Sequence, residues 1–190
     1  MKLLAIDPSL TSTGYALRAE KDGESMLVMG HIDGAKRFGL GRLAYIEQRI
    51  LELITQIQPG MVVYEGYAMG IAAGQGRSFD LGELGGILKK AIWERGIDIL
   101  LVPPSSLKKF ATGKGNAKKP EVMEALRGKC PYPFRTDDEA DAFGLLLLGE
   151  AFSDPRQRSR LRGHYSNVAL EGCTVVKGRP VRRKLQSISN

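Results

Sequence analysis

At 190 residues and 43% hydrophobic content the chain is long enough for one domain with a full core. No apolar run approaches the ~20 residues of a membrane span, and Asp7 interrupts the first apolar segment too early for a signal peptide. Only Cys130 and Cys173 occur, without a CxxC pairing, and His31 and His164 stand far apart. A reduced, cytoplasmic chain is expected, with no catalytic cysteine, no His-based metal site and no Ser-His-Asp triad.

The net charge of +7 is segregated. Residues 1–153 carry 19 basic and 19 acidic residues, whereas residues 154–190 carry 9 and 2, so the whole excess lies in the tail. A basic tail reads as a nucleic-acid contact or as a solubilising segment. A second basic patch lies at 108–119, where Lys108, Lys109, Lys114, Lys118 and Lys119 stand without an acid among them.

In chain order, residues 2–7 read as a buried strand and 14–19 as the next, after a Ser/Thr-rich turn. Asp22-Gly23 is a hairpin signal leading into a third, antiparallel strand over 25–32. Leu40, Leu43, Ile46, Ile50, Leu53, Ile54 and Ile57 recur at helical period, and Pro59-Gly60 ends that helix. Residues 61–65 form a short buried strand, followed by a glycine-rich loop over 66–77. A helix over 78–95 carries a stripe of Leu81, Leu84, Leu88, Ala91 and Ile92. Residues 98–102 give a fifth strand closed by Pro103-Pro104, with Ser105 as the expected cap of a short helix. Gly113-Lys114-Gly115 is a loop, and Pro120 suits the first turn of the next helix. Thr136 and Glu139 form a capping box that opens a helix through about residue 151.

This order predicts an α/β fold with a mixed five-stranded sheet and helices on its faces. The domain is expected over 1–152, with a basic extension over 153–190 in which 168–176 could form a strand.

Four acids stand out. Asp7 ends the apolar run Leu3-Leu4-Ala5-Ile6, and Glu65 ends Met61-Val62-Val63-Tyr64. Asp138 and Asp141 are three apart, so they share a helix face in the first turn, where the helix dipole favours negative charge. A carboxylate in a buried strand needs a reason, and such groups repel one another unless a cation sits between them. Oxygen-only ligation selects a hard cation, Mg²⁺ with Mn²⁺ as a substitute. Two ions ~3.5–4 Å apart would hydrolyse a phosphodiester, with Asp7 bridging them. Asp138 and Asp141 could instead be plain helix-start charges, and Asp7 a turn residue.

The segments LLAIDPSLTSTGYAL, VVYEGY, LLVPPSSLKKFATGKGNAKKPEVMEAL and TDDEADAFGLLLLG resemble, in order, the catalytic strands, lysine segment and last catalytic helix of the RuvC family of Holliday-junction resolvases. That family lies in the RNase H-like superfamily, and the resemblance spans about residues 2–151. It implies that Asp7, Glu65, Asp138 and Asp141 are metal ligands for two ions and that Lys108 and Lys119 contact phosphate, with Lys119 part of the catalytic set. It also implies a homodimer acting on four-way or other branched DNA in recombination and repair, with the 78–95 helix as interface. The family commonly places an aromatic three residues after the catalytic Glu. Here that position is Ala68, with Tyr67 one residue earlier, so Tyr67 or Phe79 would take its place on the junction. Three other functions fit the residues: a relaxed fork or flap nuclease, a non-catalytic DNA-binding module, and an ATPase of the sugar-kinase type. The chain is too short for the two lobes that ATP needs, so no nucleotide cofactor is expected.

Overall fold

The computed structural model describes residues 1–21, 24–66, 77–154, 170 and 172–180. Six strands form one mixed sheet: β1 (Leu3–Asp7), β2 (Ser12–Lys21), β3 (Glu24–Asp33), β4 (Met61–Glu65), β5 (Asp98–Val102) and β6 (Thr174–Val176). Their order across the sheet is β3-β2-β1-β4-β5-β6. β1 pairs antiparallel with β2 and parallel with β4, and β4 pairs parallel with β5.

Central strands covered on both faces must be apolar at every position, which is why β1 and β4 read as continuous runs. Leu3 and Ala5 of β1 enter one core cluster, while Leu4 and Ile6 enter the other. On the second side lie α1 (Gly39–Ile57) and α2 (Arg77–Glu94), which bury Leu43, Ile46, Ile50, Leu84, Leu88 and Ile92. The first side is covered by α3 (Pro104–Thr112), α4 (Lys119–Arg127) and α5 (Asp137–Ser153). Leu107, Phe110, Val122, Leu126 and Phe143 fill that layer. The apolar stripe predicted for α2 is therefore core, and its outward side carries Phe79 and Trp93, 75% and 37% exposed.

Three expectations change. The hairpin strands run to ten residues each, longer than their apolar pattern, because β2 and β3 keep pairing past it, from Ser12↔Asp33 to Lys21↔Glu24. Ser105 is not a cap: α3 starts at Pro104, its N-cap position is Pro103, and no side chain caps it. Pro104, at the first helical position, has no N–H and so removes one of the donors that a helix start leaves unpaired. Among the described residues the sheet has six strands, the sixth supplied by the basic extension. β6 pairs antiparallel with β5, and the Lys177 ammonium and the Gly178 N–H both bond Asp98, at 2.7 and 3.0 Å. Among the described residues no helix is long and apolar enough to cross a membrane. The Asp22-Gly23 turn, Tyr67 with most of the glycine-rich loop, and the arginines at 156–162 lie outside the described residues.

Candidate active site

Register places the first two acids together. Ile6 pairs with Tyr64 in the parallel β1–β4 ladder, so Asp7 and Glu65, one residue further on, end adjacent strands. Asp7 is 6% exposed, and a side-chain hydrogen bond joins it to Glu65. Across the antiparallel ladder Asp7 pairs with Gly14 of β2.

Packing brings the second pair in. A Cβ on Gly14 would stand 2.1 Å from the Asp138 carbonyl oxygen, so only a glycine there lets the start of α5 rest on β2. The Thr136 hydroxyl accepts the Glu139 N–H at 3.1 Å, which is half of the expected capping box; the Glu139 carboxylate accepts the Arg135 N–H at 2.8 Å rather than that of Thr136, because it is drawn inward toward His31. Asp138 and Asp141 are half-buried, and both charges act on Asp7.

The electrostatics match carboxylates gathered without a counter-ion. Burial first, then the Glu65, Asp141 and Asp138 charges, push the Asp7 carboxyl well above its ordinary range. Burial also raises Glu65; the bond from Asp7 opposes this, Asp141 adds to it, and Lys108 and Lys119 pull it back. Asp141 is pushed up to about 6, chiefly by burial, with Lys119 opposing and Asp138 adding. Burial pulls the Lys119 ammonium down, but its bond to Asp137 and the Asp141 charge outweigh that, and the net shift is upward. Lys119 Nζ lies 3.2 Å from Asp137 Oδ2.

Asp7, Glu65, Asp138, Asp141, Lys108 and Lys119 thus share one electrostatic neighbourhood. Lys109, Lys114 and Lys118 lie on the same segment, but the lysine charges acting most strongly on the carboxylates are those of Lys108 and Lys119. Among the described residues no three His, Cys, Asp or Glu side chains are already arranged to hold an ion. Burial pushes both the Asp7 and the Glu65 carboxyls toward the protonated form, the direction expected of close carboxylates with no cation between them. The donor set is all oxygen and carries excess negative charge, which fits a hard divalent cation and no softer one.

Two residues of this neighbourhood escape sequence reasoning. Gly14 is an isolated glycine inside a strand pattern, a signal of close backbone approach. Glu139 gave only the local capping signal, yet it is 3% exposed and its carboxylate lies 3.2 Å from His31 Nδ1.

A family model described as crossover junction endodeoxyribonuclease RuvC matches residues 3–145. Proteins of that description from Synechococcus sp. and Prochlorococcus marinus are 31% and 30% identical, each match covering 78% of this chain and 97% of the relative. The Rickettsia massiliae protein is 29% identical over 76% of this chain and 94% of its own length. Thermus thermophilus RuvC in complex with a Holliday junction substrate shares the fold with a TM-score of 0.65 at 22% identity, covering 83% of this chain and 97% of that one. The Thermus thermophilus RuvC structure gives 0.63 at 19% identity, over 93% and 100%.

Proposed function

Because this chain belongs to the crossover junction endodeoxyribonuclease RuvC family, we propose that it cuts four-way DNA junctions by divalent-cation-dependent phosphodiester hydrolysis at the Asp7 site. Asp7, Glu65, Asp138 and Asp141 would hold two Mg²⁺ ions, with Mn²⁺ as substitute. When bound, such ions polarise the phosphate and make a water nucleophilic at neutral pH. The observation that carries the reading is the ladder register that sets Asp7 beside Glu65, with Asp138 packed onto Gly14 one strand away.

The chain's own residues divide the remaining work. Asp7 and Glu65, whose carboxyls burial raises, would ionise as the site fills. Lys108 and Lys119 face the same carboxylates, where they meet the scissile phosphate and neutralise the charge that develops on it. Lys119 would exchange its bond to exposed Asp137 for one to DNA, at little cost, since exposed pairs contribute little. Lys109, Lys114 and Lys118 extend the basic surface and contact the backbone, which positions DNA without reading sequence. Tyr67 follows Glu65 by two residues, close enough along the chain to stack at the junction.

A junction with two-fold symmetry calls for a two-fold protein, so the active species is a homodimer. The outward side of α2, with Phe79 and Trp93, is the surface available for it. Gly82 and Gly86 leave room there, since a Cβ on either would meet nothing within 4 Å.

The test uses labelled four-way, three-way, forked and linear DNA in Mg²⁺, with the cuts mapped. Paired cuts in four-way DNA, lost on chelation and in Asp7→Asn, are expected. A mutant that cuts at the wild-type rate would sink the two-metal reading. Cutting of forks as fast as four-way junctions would show a relaxed branched-DNA nuclease instead.

A further inference from the structure

Glu139 is the acid between the two helix-start aspartates, and its placement differs from theirs. It is 3% exposed, and both partners of its carboxylate lie outside α5. The Arg135 N–H donates to Oε2 at 2.8 Å, and His31 Nδ1 of β3 lies 3.2 Å from Oε1. Burying a carboxylate is costly unless its oxygens are bonded, and an apolar residue would fill the same space more cheaply. The pair therefore answers to something other than bulk stability.

The sheet register identifies what that is. Asp7 pairs with Gly14, and Gly14 pairs with His31, so the three residues form one row across β1, β2 and β3. The first turn of α5 lies along that row. The Asp138 backbone rests on Gly14, and Glu139 is tied to His31. A shift of this turn along the row would carry Asp138 and Asp141 away from Asp7.

We propose that Glu139, clamped between His31 and the Arg135 N–H, is a positioning residue that holds Asp138 and Asp141 in register with Asp7. It does not itself touch cation or DNA. The proposal rests on the reading that the four carboxylates bind a divalent cation. A second tie between α5 and the hairpin offers a control, since Arg18 of β2 bonds Glu150 about three turns further along the helix.

The experiment measures Mn²⁺ affinity of the full chain by electron paramagnetic resonance, with thermal melting and junction binding in chelator alongside. Glu139→Ala is expected to weaken Mn²⁺ binding about 10- to 100-fold, the range for groups that orient metal ligands. Junction binding without metal stays at the wild-type level. Glu139→Gln keeps an oxygen for the Arg135 N–H and offers an N–H to His31, so it restores affinity to within about threefold of wild type. His31→Ala, which removes only the β3 tie, falls between the two and carries the test if Glu139→Ala does not fold. Arg18→Ala lowers the melting temperature but leaves Mn²⁺ affinity unchanged. Wild-type Mn²⁺ affinity in both Glu139→Ala and His31→Ala would overturn the clamp, as would an equal loss in Arg18→Ala. A wild-type chain that binds no Mn²⁺ would overturn the metal reading, and the clamp with it.

Discussion

The two halves of the carboxylate cluster are placed by different forces. Asp7 and Glu65 stand at the ends of neighbouring parallel strands, and the backbone ladder that pairs Ile6 with Tyr64 sets their spacing. Asp138 stands on the first turn of a helix and Asp141 just beyond it, and among the described residues no backbone hydrogen bond ties that turn to the sheet. It is held by the fit of the Asp138 carbonyl against Gly14 and by the Glu139–His31 contact. A ladder has only discrete registers, and a slip by one residue would turn every side chain to the other face. A packed helix start can move by fractions of an ångström. The strand-end pair is thus rigid by construction, while the helix-start pair depends on a few contacts that can be changed one at a time.

The largest effect should come from the rigid pair. Asp7→Asn keeps the shape of the site but removes a charge, and a loss of several kcal/mol of charge stabilisation corresponds to about a thousandfold in cutting rate. Single-turnover cleavage of a four-way junction in Mg²⁺ measures it, with little change expected in melting temperature.

Next comes a pair of glycine substitutions that separates position from stability. Gly14→Ala would put a Cβ 2.1 Å from the Asp138 carbonyl oxygen, and Gly149→Ala would put one 2.3 Å from Val63 Cγ2. Both overpack the layer under α5, at about 1–3 kcal/mol each by thermal or denaturant unfolding. Only Gly14→Ala should also raise the Mg²⁺ concentration needed for half-maximal cutting, about tenfold or more. Equal Mg²⁺ requirements in the two variants would mean that the start of α5 is not positioned through Gly14.

Replacing Lys119 by Ala should slow cutting about tenfold while leaving Mn²⁺ binding largely intact, since a positioned cation acts on the developing phosphate charge. A larger loss in Mn²⁺ affinity than in rate would instead make Lys119 a steward of the carboxylates. Its place beside Asp137 and Asp141 makes that outcome measurable.

The pH dependence gives a smaller, graded effect. Asp141 titrates at about 6 in the folded protein against an ordinary 3.8, mainly because it is buried. A carboxyl raised in this way binds its proton more tightly folded than unfolded. Its contribution to metal-free stability is therefore full at low pH and declines as pH rises from about 4 through 6. A cation reverses the sign, because it needs the ionised form. The rise in melting temperature produced by Mn²⁺ should be small at pH 5 and grow through pH 6 to 7.5, as differential scanning fluorimetry would record. An Mn²⁺ effect independent of pH would contradict buried, raised carboxylates as the binding groups.

The smallest change concerns the extension. Replacing Arg182, Arg183 and Lys184 with Ala should flatten the salt dependence of junction binding by up to about one unit of slope per lost phosphate contact. Mn²⁺ affinity should stay as it is, because β6 and the carboxylates are untouched. An unchanged slope would remove these residues from the DNA contact.

Much of this was legible from residue order. Continuous apolar runs marked β1, β4 and β5, and each of the first two ends in its acid at the position where the structure has it. The capping box gave the start of α5 to the residue, through Thr136. What failed to show was whatever depends on a distant partner. The α2 stripe could be interface or core, and only its packing against α1 and β5 makes it core. Glu139 had a local role that accounted for it, and its burial against His31, 108 residues away in sequence, left no local trace. The sixth strand was faint because three residues, two of them exposed, carry little hydrophobic signal.

By itself, then, the sequence determined the element order, the two strand-end acids and the helix-start pair, because periodicity, caps and turns act within a few residues of chain. The tertiary structure alone decided that Asp7, Gly14 and His31 share one row, that α5 is docked on that row through a missing Cβ, and that Glu139 is drawn inward to hold it. Those outcomes depend on ladder register and close packing, which join residues far apart in the chain and have no period to read.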